Sequence, residues 1–306
     1  MSAPFRLALA LLALAAVAWA GGGQAAGPPK RKPPAVRIVQ PGALTLDFAG
    51  GLLVADRRLN RVVRIDLRTG KRRVVVAGVR EIGAVALDDM RRLYVGSGDR
   101  IYRIQAGRKI LIAGTGRREH SGDGGPATAA SLSGLAGFEV DHDETIAIVE
   151  YDNWIRFIDA NGTIHTIAGT GEEGYAGDGG PARKALFRHP HDLALRIDRE
   201  LIVADSHNGV LRRIDPAGNI STFATGFGAP IAVKGGPGNT LYVADGFANA
   251  VFRLDPSGAT RRRVARASGP FGIAVDGRNN VYVSELAGAR RVLRVTPAGG
   301  TRVLVR

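Results

Sequence analysis

One short motif recurs along this chain: two apolar residues, a small residue, then an acid. It reads Leu53-Val54-Ala55-Asp56, Ile202-Val203-Ala204-Asp205, Tyr242-Val243-Ala244-Asp245 and Tyr282-Val283-Ser284-Glu285. Weaker copies stand at Tyr94-Val95-Gly96-Ser97 and Ala147-Ile148-Val149-Glu150, and successive marks lie 41, 53, 55, 40 and 40 residues apart. About ten residues after each mark comes an alternating strand, such as Val62 to Ile65 or Val210 to Ile214. That strand runs into a turn, as at Asp215-Pro216-Ala217-Gly218 and Asp255-Pro256-Ser257-Gly258. There Pro presets φ near −65° and Gly supplies positive φ. A further apolar strand precedes each mark and another follows each turn, which makes four strands per repeat. Six four-stranded repeats of about 40 residues predict an all-β, six-bladed β-propeller, in which radial closure buries the sheet faces. A β-sandwich has no reason to repeat one turn chemistry in phase, and an apolar spacing of two excludes a helical solenoid.

The repeats fill residues 41–306. Counted from Ala43 they supply six complete sets of strands, so Thr301 to Val305 should be the outer strand of its own blade and Val36 to Val39 should not exchange into it. Residues 1–20 read as a signal peptide, with a basic start at Arg6, a 14-residue apolar run from Leu7 to Ala20, and a small-x-small site at Ala18-Trp19-Ala20. Fourteen residues span about 21 Å of helix against a bilayer core of about 30 Å, so cleavage and export to a periplasm or the exterior are expected, with no integral membrane span remaining. Residues 21–40 read as a Gly/Pro-rich basic linker.

Composition narrows the chemistry. With no cysteine in 306 residues, disulfides, thiolate metal sites and thiol nucleophiles are excluded. Five of the 42 basic residues precede Pro41, leaving 37 against 28 acids in the body of the chain. Such a balance suits an acidic partner. Basic residues cluster at Arg57-Arg58, Lys71-Arg72-Arg73, Arg91-Arg92, Arg117-Arg118, Arg212-Arg213, Arg261-Arg262-Arg263 and Arg290-Arg291. They read as a basic rim for polyanions, or as charge that keeps outer strands from pairing edge to edge. Export removes nucleic acid from the expected partners.

The stretch Ala113 to Leu132, AGTGRREHSGDGGPATAASL, and its copy 55 residues later, Ala168 to Phe187, AGTGEEGYAGDGGPARKALF, resemble the bacterial NHL repeat. The resemblance extends over Gly42 to Arg306. It implies a six-bladed propeller of a kind found in secreted binding proteins, receptor sensor domains, and some lyases and hydrolases. In the two GDGGPA loops a single carboxylate each, Asp123 and Asp178, falls short of a calcium loop. Each Asp is expected to cap its own turn, with the following Pro-Ala starting a short helical turn.

Three of the six histidines, His189, His191 and His207, fall within 19 residues beside Asp192, Asp205 and Asn208. This fourth repeat is the candidate ligand-binding pocket. Resemblance to amidating lyases implies a channel metal held by histidines that follow proline on inner strands. His191 matches, whereas the corresponding Gly83, Gly137, Ile231 and Phe271 cannot ligate zinc, which needs about three protein ligands. Resemblance to lactonase propellers would enlist Glu150, Asn153, Asp205 and Asp245 for a divalent cation. With no surplus catalytic set beyond the repeat marks, the sequence reads as an exported, monomeric, non-catalytic binding or scaffold module, without cofactor, for a protein or an anionic envelope polymer. The alternative is a metal-dependent lyase or a lactonase-type enzyme.

Overall fold

The computed structural model describes residues 35–306, apart from 48 and 142. The signal read at residues 1–20 and most of the linker lie outside the described residues. Each of the six sheets has four consecutive antiparallel strands, paired in chain order. Blade one comprises β1 (Pro41–Asp47), β2 (Gly51–Asp56), β3 (Arg61–Asp66) and β4 (Arg72–Ala77); blade two comprises β5 (Ile82–Leu87), β6 (Leu93–Ser97), β7 (Arg100–Gln105) and β8 (Arg108–Ala113). Blade three comprises β9 (Leu135–Val140), β10 (Ile146–Glu150), β11 (Trp154–Ile158) and β12 (Ile164–Ala168); blade four comprises β13 (Pro190–Leu195), β14 (Leu201–Asp205), β15 (Val210–Ile214) and β16 (Ile220–Ala224). Blade five comprises β17 (Pro230–Gly236), β18 (Thr240–Asp245), β19 (Ala250–Leu254) and β20 (Arg261–Arg266); blade six comprises β21 (Pro270–Val275), β22 (Val281–Glu285), β23 (Val292–Val295) and β24 (Thr301–Val305). This is a six-bladed β-propeller.

The recurring mark has a physical origin. The second strand of a blade is covered on both faces by its neighbours, so every residue of β2, β14, β18 and β22 is buried. The acid that ends it accepts backbone N–H groups of the segment entering the same blade. Asp205 Oδ1 takes Arg188 N at 2.8 Å, Asp245 takes Gly228 N and Ala229 N at 2.8 and 3.0 Å, Glu285 takes Ser268 N at 2.8 Å, and Glu150 takes Ser133 N at 2.9 Å. Those donors lie beside buried strand ends where water is scarce, so an acceptor is needed at each repeat.

The GDGGPA loops do more than turn the chain. The short helical turns at Ala127–Ala129 and Ala182–Lys184 follow their prolines as expected. The aspartates, however, do not cap their own turns. Asp178 Oδ1 accepts from Arg212 Nη2 at 2.7 Å while its Oδ2 accepts from Thr222 N at 3.0 Å, and Asp123 takes Arg156 and Thr166 N in the same way. Each loop is therefore clamped onto the outer strands of the blade it precedes.

Closure uses no exchanged strand. β24 pairs with β23, and Val36 to Val39 form no strand. Ile38 is buried instead, packed with Leu44, Tyr282 and Val305 over the junction of the last and first blades. The compact unit therefore begins at Val36, inside what the sequence read as linker. Ser284 Oγ, at the small-residue position of the sixth mark, donates to Gly42 O at 2.7 Å and accepts from Gly272 N at 2.9 Å. Side-chain hydrogen bonding thus stitches blade six to blade one.

Candidate functional site

The six inner strands surround a central channel. Each starts with a register shift, such as that between Pro190 and Asp192 in β13. Such bulges re-aim one side chain, and here Gly83, Ala136, His191, Ile231 and Phe271 line the upper end, where the inner strands begin. The pairing of Leu135 with Glu150 and of Pro190 with Asp205 makes Ala136, one residue before the Gly137 inferred from sequence, the counterpart of His191. The upper chamber is narrow, about 40 Å³, and the lower one holds about 270 Å³. Only a small group can enter from above, so a larger ligand would rest on the upper face.

His191 is the single imidazole among these positions. Its Nε2 lies 3.4 Å from Tyr151 Oη, and its ring stands edge-on to Phe271 at 5.6 Å between centroids. Arg57 stacks over the other part of this wall, its guanidinium carbon 4.8 Å from the Phe271 ring centre. Some His191 surface faces the channel, but protein surrounds the ring. Burial therefore drives its pKa down to about 4, opposed by a backbone hydrogen bond to Ile231 and reinforced by Arg57. The imidazole is neutral at physiological pH. Burial raises the Tyr151 phenol, with Arg57 and Arg118 opposing.

Asp192, next along β13, faces the axis lower down. There Lys234 Nζ of β17 lies 3.0 Å from Glu139 Oε2 of β9, 3.5 Å from Asp192 Oδ1 and 3.5 Å from Leu193 O. Burial raises both carboxyls, with Lys234 opposing. Burial works to lower Lys234, but Asp192 and Glu139 outweigh it and hold the ammonium charged. The sequence reading missed Lys234 and Glu139. Their strand partners, Tyr242 and Ala147, both stand three residues before a mark's acid, so the two occupy the same repeat position. Thr45, Ala86, Ala194 and Ala274 take that position elsewhere, and opposite charges among such small residues were the signal.

The remaining candidates of the fourth repeat separate from this channel pair. The His189 and His207 rings pack at a 54° tilt with centroids 4.6 Å apart, and His189 Nε2 reaches Glu173 at 3.1 Å in the loop ahead of the blade. Asp205 is fully buried and accepts from Asn208 Nδ2, which also donates to Gly174 O at 2.7 Å. Asp205, His207 and Asn208 thus support the loop. Of the six residues expected to form one pocket, His191 and Asp192 alone line the channel.

A divalent metal does not fit these donors. Among the described residues no three His, Asp or Glu side chains gather to hold one. Glu150, Asp205 and Asp245 spend their oxygens on backbone N–H groups and, in Glu150 and Asp205, on Arg156 and Asn208 side chains, and Asn153 Oδ1 accepts from His189 N at 2.9 Å. The two carboxylates left on the axis already share the Lys234 ammonium.

Neither a protein-family model nor a curated protein matches the chain. Solved structures do. Virginiamycin B lyase from Staphylococcus aureus is 17% identical with a TM-score of 0.60, covering 87% of this chain and 84% of that one. A catalytically inactive histidine-to-alanine variant of that lyase, solved with quinupristin, is 18% identical with a TM-score of 0.59 over 87% and 84%. A gluconolactonase from Xanthomonas campestris is 15% identical with a TM-score of 0.65 over 81% and 84%. At these identities the likeness establishes the fold. It also corrects the expectation of a non-catalytic binding or scaffold module, because propellers of two enzyme activities are among the similar structures.

Proposed function

We propose that this protein is a propeller enzyme of the lyase or lactonase type, built from NHL-like repeats and exported, with His191 as its proton acceptor. The observation that carries the reading is a neutral imidazole at the narrow upper end of the channel, where small or apolar residues fill the equivalent positions of other blades. In the tautomer that carries its proton on Nδ1, Nε2 is the accepting nitrogen and faces Tyr151 Oη at 3.4 Å. A substrate proton, on carbon in a lyase or on attacking water in a lactonase, would be taken at Nε2 in place of the Tyr151 contact. Arg57, held against Phe271, supplies positive charge for the oxyanion that develops as the proton leaves. A positioned base of this kind contributes about 10²- to 10⁴-fold in rate. The inactive histidine-to-alanine variant of the lyase is in keeping with a histidine-based reaction.

Turnover tests the reading. The purified protein is assayed against a panel of sugar lactones and against virginiamycin B and quinupristin, with and without chelator. Ring opening of one class supports the proposal, and a stable, folded protein that turns over neither class refutes it.

A further inference from the structure

Resemblance to metal-loaded propellers implies a cation in the central channel, and the geometry supplies one of another kind. Lys234 Nζ is surrounded by three oxygens from two other blades: Glu139 Oε2 at 3.0 Å, Asp192 Oδ1 at 3.5 Å and Leu193 O at 3.5 Å. An all-oxygen set containing two carboxylates is the chemistry that hard divalent cations select. Here the position such an ion would take is filled by an ammonium that belongs to the chain. The lower chamber, about 270 Å³ and lined by Glu139 and Lys234, gives access from solvent. An ion arriving by that path would have to displace a covalently tethered charge.

We propose that this propeller works without a channel metal because Lys234 is its resident cation, the shared counter-charge of Glu139 and Asp192, and holds blades three, four and five together around the axis. The role is one of positioning, since Lys234 touches the carboxylates and lies below His191. The inference rests on the Lys234 geometry and stands apart from the assignment of His191, because its readout is metal binding and not turnover.

Removing the ammonium should expose the oxygens to a real ion. Mn²⁺ is titrated into wild-type protein, Lys234→Ala and Lys234→Gln, with bound ion followed by electron paramagnetic resonance and thermal melting followed in parallel. Wild type should bind no Mn²⁺ at 1 mM ion and should melt at the same temperature in chelator and in Mn²⁺. A folded Lys234 variant should bind one ion per chain and melt higher with it, and adding Glu139→Gln should abolish both effects. Binding of Mn²⁺ by wild type that Glu139→Gln removes would overturn the proposal. So would a folded Lys234→Ala or Lys234→Gln protein that binds none. If neither variant folds, the wild-type titration decides alone: binding lost with Glu139→Gln refutes the proposal and its absence supports it.

Discussion

Arg212 donates through Nη2 to Asp178 Oδ1 at 2.7 Å although the arginine side chain is fully buried and the aspartate is 44% exposed. The same guanidinium donates to Leu186 O and Ala176 O and lies 3.6 Å from Asp205 Oδ2. One side chain thus fastens an entire inter-blade loop. Replacing Arg212 by Met should cost about 3–5 kcal/mol, because it leaves Asp205 buried without its counter-charge. Asp178→Asn should cost less, about 1–2 kcal/mol, since its single amide oxygen can accept from Arg212 or from Thr222 but not from both, at a site near solvent. Urea unfolding of the two variants checks the ratio.

Such arginines explain what the sequence withheld. Arg212 and Arg213 are adjacent and look alike in a charge pattern, yet one is fully buried and the other is exposed. The pattern of β15 alone gives no sign that a loop some 34 residues earlier supplies the partner. The marks were legible because burial on both faces imposes the same residues on every second strand. His191 was legible through its place after Pro190 in the repeat. The pairing of Lys234 with Glu139 was not, because ring closure, and not sequence distance, brings residues 95 apart together across the axis.

The seam between the last and first blades should be sensitive to single atoms. A Cβ on Gly272 would lie 2.6 Å from Gly42 O and 2.9 Å from Ala43 Cα, both backbone atoms that cannot step aside. Gly272→Ala should therefore destabilise the protein by about 1–3 kcal/mol through overpacking. Ser284→Ala should cost a similar amount, about 1–3 kcal/mol, by leaving Gly272 N and Gly42 O unpaired. Hydrogen exchange should show the loss as faster opening of β21 and β1.

Two buried groups oppose each other in the pH dependence of stability. His191 falls from 6.5 to about 4 on folding, so the unfolded chain binds its proton first and stability declines as pH drops through that window. Asp205 rises from 3.8 to about 6, chiefly through burial and despite Asn208, Arg188 N and Arg212, so its contribution declines as pH climbs through nearly the same window. Over pH 4 to 6 these two contributions should nearly cancel. Asp205→Asn removes one side of that balance, so its stability should fall by about 3 kcal/mol more than that of wild type as pH drops from 6 to 4. Denaturation midpoints across that range decide it.

The account turns on His191 as the proton acceptor, with Tyr151, Ile231, Phe271 and Arg57 as its surroundings. The pH profile of kcat/KM on whichever substrate is turned over, for wild type and for His191→Ala, tests this most directly. The wild-type profile should stay level from pH 8 down to about 5 and then fall with a single protonation near 4, where burial has set the imidazole. His191→Ala should lose about 10²- to 10⁴-fold across the level region while keeping its circular dichroism spectrum. A wild-type acid limb near 6.5, or a His191→Ala enzyme as active as wild type, would contradict the assignment.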